Sequence, residues 1–172
     1  MRKINLKVNA KPLLVIVFVL CAALTKAKTK PAKLELDVNM QENSVGLPNA
    51  WLTVIAYGTS IDTVMVEPDT KGRVKWALDA DKLYTVIFSK PGYVSKRIKV
   101  STKGMHKDAA KNYYYPVAIN LFKEKKALDI TVLKKSIDKI YFDKEKNNFN
   151  DDAVYAKTIV HELEKLQKEL EK

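Results

Sequence analysis

Short runs in which apolar and polar residues alternate, separated by turn residues, constrain the fold of this chain most strongly. They extend over residues 33–122, and turn signals recur about every 8 to 12 residues, as in antiparallel sandwiches and barrels. Successive side chains of a strand point to opposite faces, so each run can bury one face. The pattern predicts a mainly β fold, an antiparallel β-sandwich, with strands at residues 33–38, 51–57, 61–66, 73–78, 83–89 and 113–122.

The segment after these strands is predicted to form a hairpin. Residues 128–133 and 138–143 both read as strands, and they flank the polar tetrapeptide KKSI. Pro116 interrupts the run 113–122, and because proline has no amide hydrogen it places that run at a sheet edge or at a bulge.

The end of the chain changes to helical spacing and predicts an amphipathic helix over residues 150–172. Asn150 is the predicted N-cap, with Asp151 and Asp152 in the first turn, where they suit the helix dipole. The apolar stripe must bury against a surface, because such a helix is not stable alone. It packs either on the chain's own sheet or on a partner protein, for which the candidate residues are Ile159, Leu163, Leu166 and Leu170.

The first residues have the pattern of a secretory signal peptide over 1–27. Basic residues precede an apolar run of about 13 residues, which is short of the roughly 20 that span a bilayer. Cleavage after Ala23 and cleavage after Ala27 both fit. Cys21 follows Leu20, where a lipoprotein signal needs a small residue, so lipid anchoring is disfavoured. The chain is therefore predicted to be exported, to the periplasm or the outer membrane, without a transmembrane span after processing.

The charge of the chain depends on that processing. The formal net charge is +11, and the predicted signal peptide holds five basic and no acidic residues, so +6 remains. An exported protein of this charge meets anionic envelope surfaces or acidic partners rather than nucleic acid.

Three short stretches together resemble the carboxypeptidase regulatory-like domain, a prealbumin-type β-sandwich common in exported bacterial proteins. They are GLPNAWLTV at 46–54, DTKGRVKW at 69–76 and FSKPGYVSKRIKV at 88–100. The resemblance implies a sandwich over residues 33–101. Val74 stands where the family usually has an aromatic residue. The remainder, with added strands and hairpin at 112–149 and the helix, is similar to the tails of small envelope proteins of gram-negative bacteria.

The third of these stretches contains a tight corner followed by a basic strand. Gly92 gives the backbone freedom next to Pro91, and the family packs the following tyrosine against the sandwich. Arg97 and Lys99 share the outward parity of that strand, whereas Lys96 shares the inward parity and is predicted to lie at a sheet edge. The outward face is either simply solvated or binds an acidic partner.

Catalytic and metal-binding patterns are scarce in this sequence. The histidines are His106 and His161, and neither a nucleophile motif, a zinc-ligand spacing nor a glycine-rich phosphate loop occurs. Asp69 is interpreted as a turn cap rather than a metal ligand. The sequence predicts no enzyme activity, no cofactor and no metal.

Aromatic residues supply the remaining candidate site. Trp51 has outward parity if Leu52 and Val54 face the core, and Tyr114 lies in a row of three tyrosines. Exposed aromatic rings bind sugars and proteins well. The sequence therefore predicts a non-enzymatic structural or protein-interaction module of the cell envelope, with a periplasmic carbohydrate- or ligand-binding protein as the alternative.

Overall fold

A computed structural model of the protein describes residues 31–105, 112–125 and 129–170. Within these ranges the chain forms ten strands, one 3₁₀ helix (Thr131–Lys134) and one α-helix, α1 (Ala153–Leu170). The strands are β1 Lys33–Glu42, β2 Val45–Gly46, β3 Trp51–Tyr57, β4 Ile61–Val66, β5 Arg73–Asp79, β6 Leu83–Ser89, β7 Lys96–Ser101, β8 Tyr113–Asn120, β9 Asp138–Asp143 and β10 Asn148–Asp151.

The strands form two sheets, which confirms the predicted mainly β sandwich. In the four-stranded sheet β1 is central, antiparallel to β2 and β5 and parallel to β8. The six-stranded sheet has the order β10-β9-β7-β6-β3-β4, and its β7 and β9 are parallel. The arrangement is thus mixed where a purely antiparallel one was expected.

Alternation along β1 explains how the two sheets enclose one core. Leu34, Leu36, Val38 and Met40 are fully buried, whereas the residues between them are half-buried. The inward side chains of the six-stranded sheet, such as Phe88, meet them to form the sandwich core. Tyr113 of β8 packs edge-on against Phe142 and Phe149, so the late strands belong to this same core.

Both predicted turn motifs form. The Asp69 carboxylate accepts hydrogen bonds from the backbone amides of Lys71 and Arg73, which confirms its capping role and lowers its pKa. At the Pro-Gly corner the Tyr93 amide donates to the Lys90 carbonyl at 3.0 Å, and Gly92 has φ +78°. A positive φ costs glycine less than other residues, so glycine is favoured there.

The hairpin predicted from residues 128–133 and 138–143 is wrong. Residues 131–134 form the 3₁₀ helix, and the hairpin instead pairs β9 with β10. Val132 and Leu133 are adjacent and both buried. Both side chains belong to one apolar group, and because consecutive side chains of a strand point to opposite faces, a helical turn can bury this pair on one surface where a strand cannot. Pro116 does lie in a strand that pairs with β1 alone among the described strands, as predicted for an edge.

The C-terminal helix begins later than predicted. Asn150 lies in β10, and the side chain of Asp152 accepts the hydrogen bond from the Tyr155 amide at 2.9 Å. Asp152 is therefore the N-cap, and Asn150 is not, because β10 extends through Asp151. The helix packs on the chain itself through a second apolar group, the helix cluster: Val94, Val132, Leu133, Ile159 and Leu166.

Three earlier predictions concern residues outside the described ranges: the signal peptide, the disfavoured lipid anchor at Cys21 and the position of His106 in a polar loop. Among the residues that are described, α1 is not apolar enough to cross a membrane as a helix. Lys96 lies at the start of β7, where it pairs with Phe88 of β6 but has no partner in β9, because the pairing of β7 with β9 begins at Ile98.

Candidate interaction face on the six-stranded sheet

The strand register brings the outward side chains of the six-stranded sheet into rows across its outer face. One row is Met65, Thr53, Ile87 and Arg97, and the next is Thr63, Ile55, Thr85, Lys99 and Lys139. A third contains Ile61, Tyr57, Leu83, Ser101 and Tyr141. Leu52 and Val54 are buried on the opposite side, so Trp51 does have the outward direction predicted for it.

One half of this outer face is apolar and open. Ile61 is 69% exposed, Met65 61%, and Tyr57 and Leu83 each 41%. These four residues, the apolar patch, lie on the adjacent strands β4, β3 and β6: Ile61, Tyr57 and Leu83 are register neighbours, and Met65 lies two rows away, beyond Thr63. Exposed apolar side chains that adjoin one another are a common feature of protein and membrane contact sites.

The other half carries three basic residues, Arg97, Lys99 and Lys139. They lie in the first and second of these rows and are together called the basic row. Lys99 of β7 and Lys139 of β9 are register partners, and both point outward. The Lys139 ammonium lies 3.8 Å from the ring centroid of Tyr155, at the start of α1. Adjacent strands are about 4.8 Å apart, so the basic row begins within roughly 10 Å of the apolar strands.

Arg97 retains hydrogen-bonding capacity that the described residues do not use. Its side chain is half-buried, and its Nε is buried with no acceptor among the described residues. A buried donor without an acceptor costs roughly 1–3 kcal/mol.

The outer face of the four-stranded sheet differs, because its polar groups pair with one another. Lys75 forms an ion pair with Glu35 at 3.2 Å, which raises the lysine pKa. The Tyr114 hydroxyl donates to Asp37 at 2.6 Å, and this bond raises the tyrosine pKa. Tyr114 and Trp51 thus lie on the outer faces of opposite sheets and do not form one aromatic site.

The helix candidates are largely occupied within the chain. Ile159 and Leu166 are buried in the helix cluster, and Leu163 is half-buried beside it. This favours the alternative in which the stripe packs on its own chain, although a partner-binding role for the stripe stays a prediction. The side chain of Leu170 lies outside the described part of the chain.

Within residues 31–105, 112–125 and 129–170, no group of three His, Cys, Asp or Glu side chains is placed to hold a metal ion. His161 is exposed on α1. The absence of enzyme activity remains a prediction.

Sequence reasoning identified Trp51, Arg97 and Lys99 but missed the apolar patch and Lys139. The residues of each strand alone indicated which of its side chains point outward. The missing information was which strands are neighbours, because only β4-β3-β6 adjacency turns single exposed residues into one patch.

Comparison with known proteins identifies no family for this chain. No family model matches the chain, and no curated protein matches it. A similar solved structure is the pilus adhesin SpaC from Lactobacillus rhamnosus GG in its open conformation, with 19% identity and a TM-score of 0.32. The match covers 70% of this chain and 14% of the adhesin, so the chain spans a small part of that protein. An overlap at this level defines neither a family nor a function. The resemblance to carboxypeptidase regulatory-like domains therefore has the two-sheet arrangement as its support, without a family match.

Proposed function

We propose that this protein is a non-enzymatic interaction module of the bacterial cell envelope, and that its outer face binds an acidic partner protein. The observation that carries the proposal is the position of the apolar patch beside the basic row on one face. An apolar centre with charges around it is the usual composition of a protein interface. The leader-like first 27 residues support export, and the β-sandwich with its Pro-Gly corner supports a module of the carboxypeptidase regulatory-like kind.

The partner's chemistry follows from the charges. Arg97, Lys99 and Lys139 are cations on one face of the sheet, and they attract carboxylates. Complementary charges accelerate encounter and fix the orientation of two proteins, whereas apolar contacts contribute most of the affinity. We therefore expect binding that weakens with salt but is not abolished by it.

The test uses site-specific photocrosslinking with the full chain in its native host. A crosslinking amino acid replaces Thr63, which is exposed in the middle of β4, and in a control chain it replaces Ala118, exposed on the four-stranded sheet. The proposal expects one envelope protein crosslinked from position 63 and not from position 118. Equal capture from both positions, or capture from neither, would overturn it.

Direct binding of the purified captured protein completes the test. Lys99→Glu should weaken binding by about ten-fold at low salt, and Met65→Asp should weaken it further, because it places a charge in the apolar patch. Lys71→Glu makes the same charge change at an exposed turn and should bind normally. If Lys99→Glu and Met65→Asp bind the captured protein with unchanged affinity, the outer face is not the binding surface. Glycan binding that Trp51→Ala abolishes would instead establish the carbohydrate-binding alternative.

A further inference from the structure

A groove of about 570 Å³ lies between the sandwich and α1, on a different surface from the outer face. Its volume falls within the range of about 300–1,000 Å³ that is typical of small-molecule sites. One wall is entirely apolar and mostly aliphatic: Leu121, Phe122, Leu133, Ile137, Leu163 and Leu166.

The charged groups that line the groove are three lysines and one glutamate. The glutamate is Glu42, and its carboxylate already accepts the Tyr93 hydroxyl at 2.7 Å. The lysines are Lys96, Lys123 and Lys125. The groove is therefore positive, and its one acid is engaged in holding the Pro-Gly corner.

Lys96 is the unusual member of this set. Its side chain lies on the inward side of β7, as does that of the buried Ile98, and a sandwich normally has an apolar residue at such a position. Its ammonium lies 5.3 Å from the centroid of the Phe122 ring, and no carboxylate among the described residues pairs with it. Burial lowers the pKa of Lys96, as expected for an ammonium shielded from water without a counter-ion.

We propose that the groove binds a fatty-acid-like amphiphile, with its carboxylate on the Lys96 ammonium and its alkyl chain along the leucine and isoleucine wall. Two features favour this ligand over a neutral or cationic one. A carboxylate neutralises a partly desolvated cation that has no other anionic partner, and a flexible aliphatic chain matches an aliphatic wall. The ligand would also join the sandwich to α1, because Leu163 and Leu166 contribute to the same wall.

The first test compares ligands on the unaltered full chain by titration calorimetry, below their micellar concentrations. Dodecanoate is the probe, dodecanol is the uncharged control of equal chain length, and dodecyltrimethylammonium is the cationic control. We expect dodecanoate to bind about ten-fold or more tightly than dodecanol, a difference of about 1.4 kcal/mol or more, and the cation to bind least. Equal affinity of acid and alcohol, or no binding of dodecanoate, would overturn the proposal, as would preference for dodecyl phosphate over the carboxylate.

A pair of variants then locates the site. Lys96→Met removes the charge but keeps an unbranched apolar side chain, and it should weaken dodecanoate binding about ten-fold with little effect on dodecanol. Lys99→Met lies on the same strand but points outward, and it should bind normally. Leu163→Phe narrows the groove and should weaken both ligands. If Lys96→Met binds dodecanoate normally, the ligand does not bind in this groove. That result would leave the proposed partner binding by the outer face untouched.

Discussion

The sandwich core and the helix cluster use the same kinds of side chain but are enclosed very differently. In the described part of the chain the core contains twenty-three buried residues, many with no exposed surface, and the cluster contains five. The core lies between two sheets. The cluster lies between α1, the 3₁₀ helix and the start of β7, and it borders the open groove.

This difference in enclosure separates stability from adaptability. A close-packed core resists any change of volume, because its neighbours cannot relax around a gap. A small cluster beside a groove adjusts more cheaply and opens at a lower free energy than the whole domain. We therefore expect the sandwich to set the stability of the protein and α1 to be its more easily released part.

The largest effect is expected from truncation in the sandwich core. Phe88 has no exposed surface, and Phe88→Ala should lower the free energy of unfolding by about 3–5 kcal/mol. Ile87→Ala, one residue away but on the half-buried outer side, removes less buried apolar surface and should cost less than about 1.5 kcal/mol. Urea unfolding followed by tryptophan fluorescence measures both. Similar losses in the two variants would contradict the described enclosure of the core.

A second experiment asks whether α1 separates from the sandwich. Leu163→Glu combined with Leu166→Glu places two charges in the helix cluster, so α1 should detach and lose its far-ultraviolet helical signal. The near-ultraviolet signal of the sandwich should persist, with a melting temperature within a few degrees of the original. Val160→Glu, at an exposed position of the same helix, is the control. Loss of both signals together would show that core and cluster are one cooperative unit.

The N-cap provides a smaller and more local change. Asp152→Ala removes the acceptor of the Tyr155 amide and should cost about 1 kcal/mol. Asp152→Asn keeps an acceptor and should cost little. Hydrogen exchange of the first-turn amides of α1 should accelerate in the alanine variant alone. Equal acceleration in both variants would assign the effect to the lost charge rather than to the lost cap.

The smallest expected effect concerns Asp138, at the junction of β9 and α1. Burial, followed by the nearby Asp151, raises the pKa of this carboxyl. A raised carboxyl pKa contributes stability below the ordinary value of 3.8 that is lost as pH rises through the folded-state value. Near neutral pH the ionised group is therefore a cost, and Asp138→Asn should raise the melting temperature slightly.

The size of that gain in melting temperature should depend on pH. At about pH 3 both chains are uncharged at this position, so the gain should vanish. Asparagine retains the oxygen that accepts the Lys139 amide, which keeps the local backbone bond. A gain that is equal at both pH values would show that ionisation of Asp138 is not its cause.

Local pattern predicted much of this fold and little of its assembly. The runs at 51–57, 61–66 and 83–89 form strands with the predicted bounds, because alternation along each run is sufficient to define it. Pairing between strands depends on contacts distant in sequence, so the parallel pairing of β8 with β1 and of β9 with β7 was not predicted. The prediction of a strand at residues 128–133 was wrong. β-Branched residues in a short stretch favour a strand, but a strand cannot bury two adjacent side chains on the same surface.

The same reasoning applies to the two candidate sites. Arg97 and Lys99 were predicted to face outward from their parity alone, and they do. Lys96 was assigned to an edge because a lysine of inward parity is unusual in a sandwich. Its real surroundings are formed by Phe122 and by the wall of the groove, which includes residues of α1, and no local rule brings those segments together.

The central position of β1 has a consequence for the order in which the chain acquires its structure. This strand precedes the other described strands along the chain, and two of its neighbours, β5 and β8, follow much later, so that Leu34 pairs with Tyr113. Contacts between such distant segments slow folding, to roughly milliseconds to seconds for sheet proteins of high contact order. The first of the described strands to leave the ribosome thus lacks its parallel partner until Asn120 has also been synthesised.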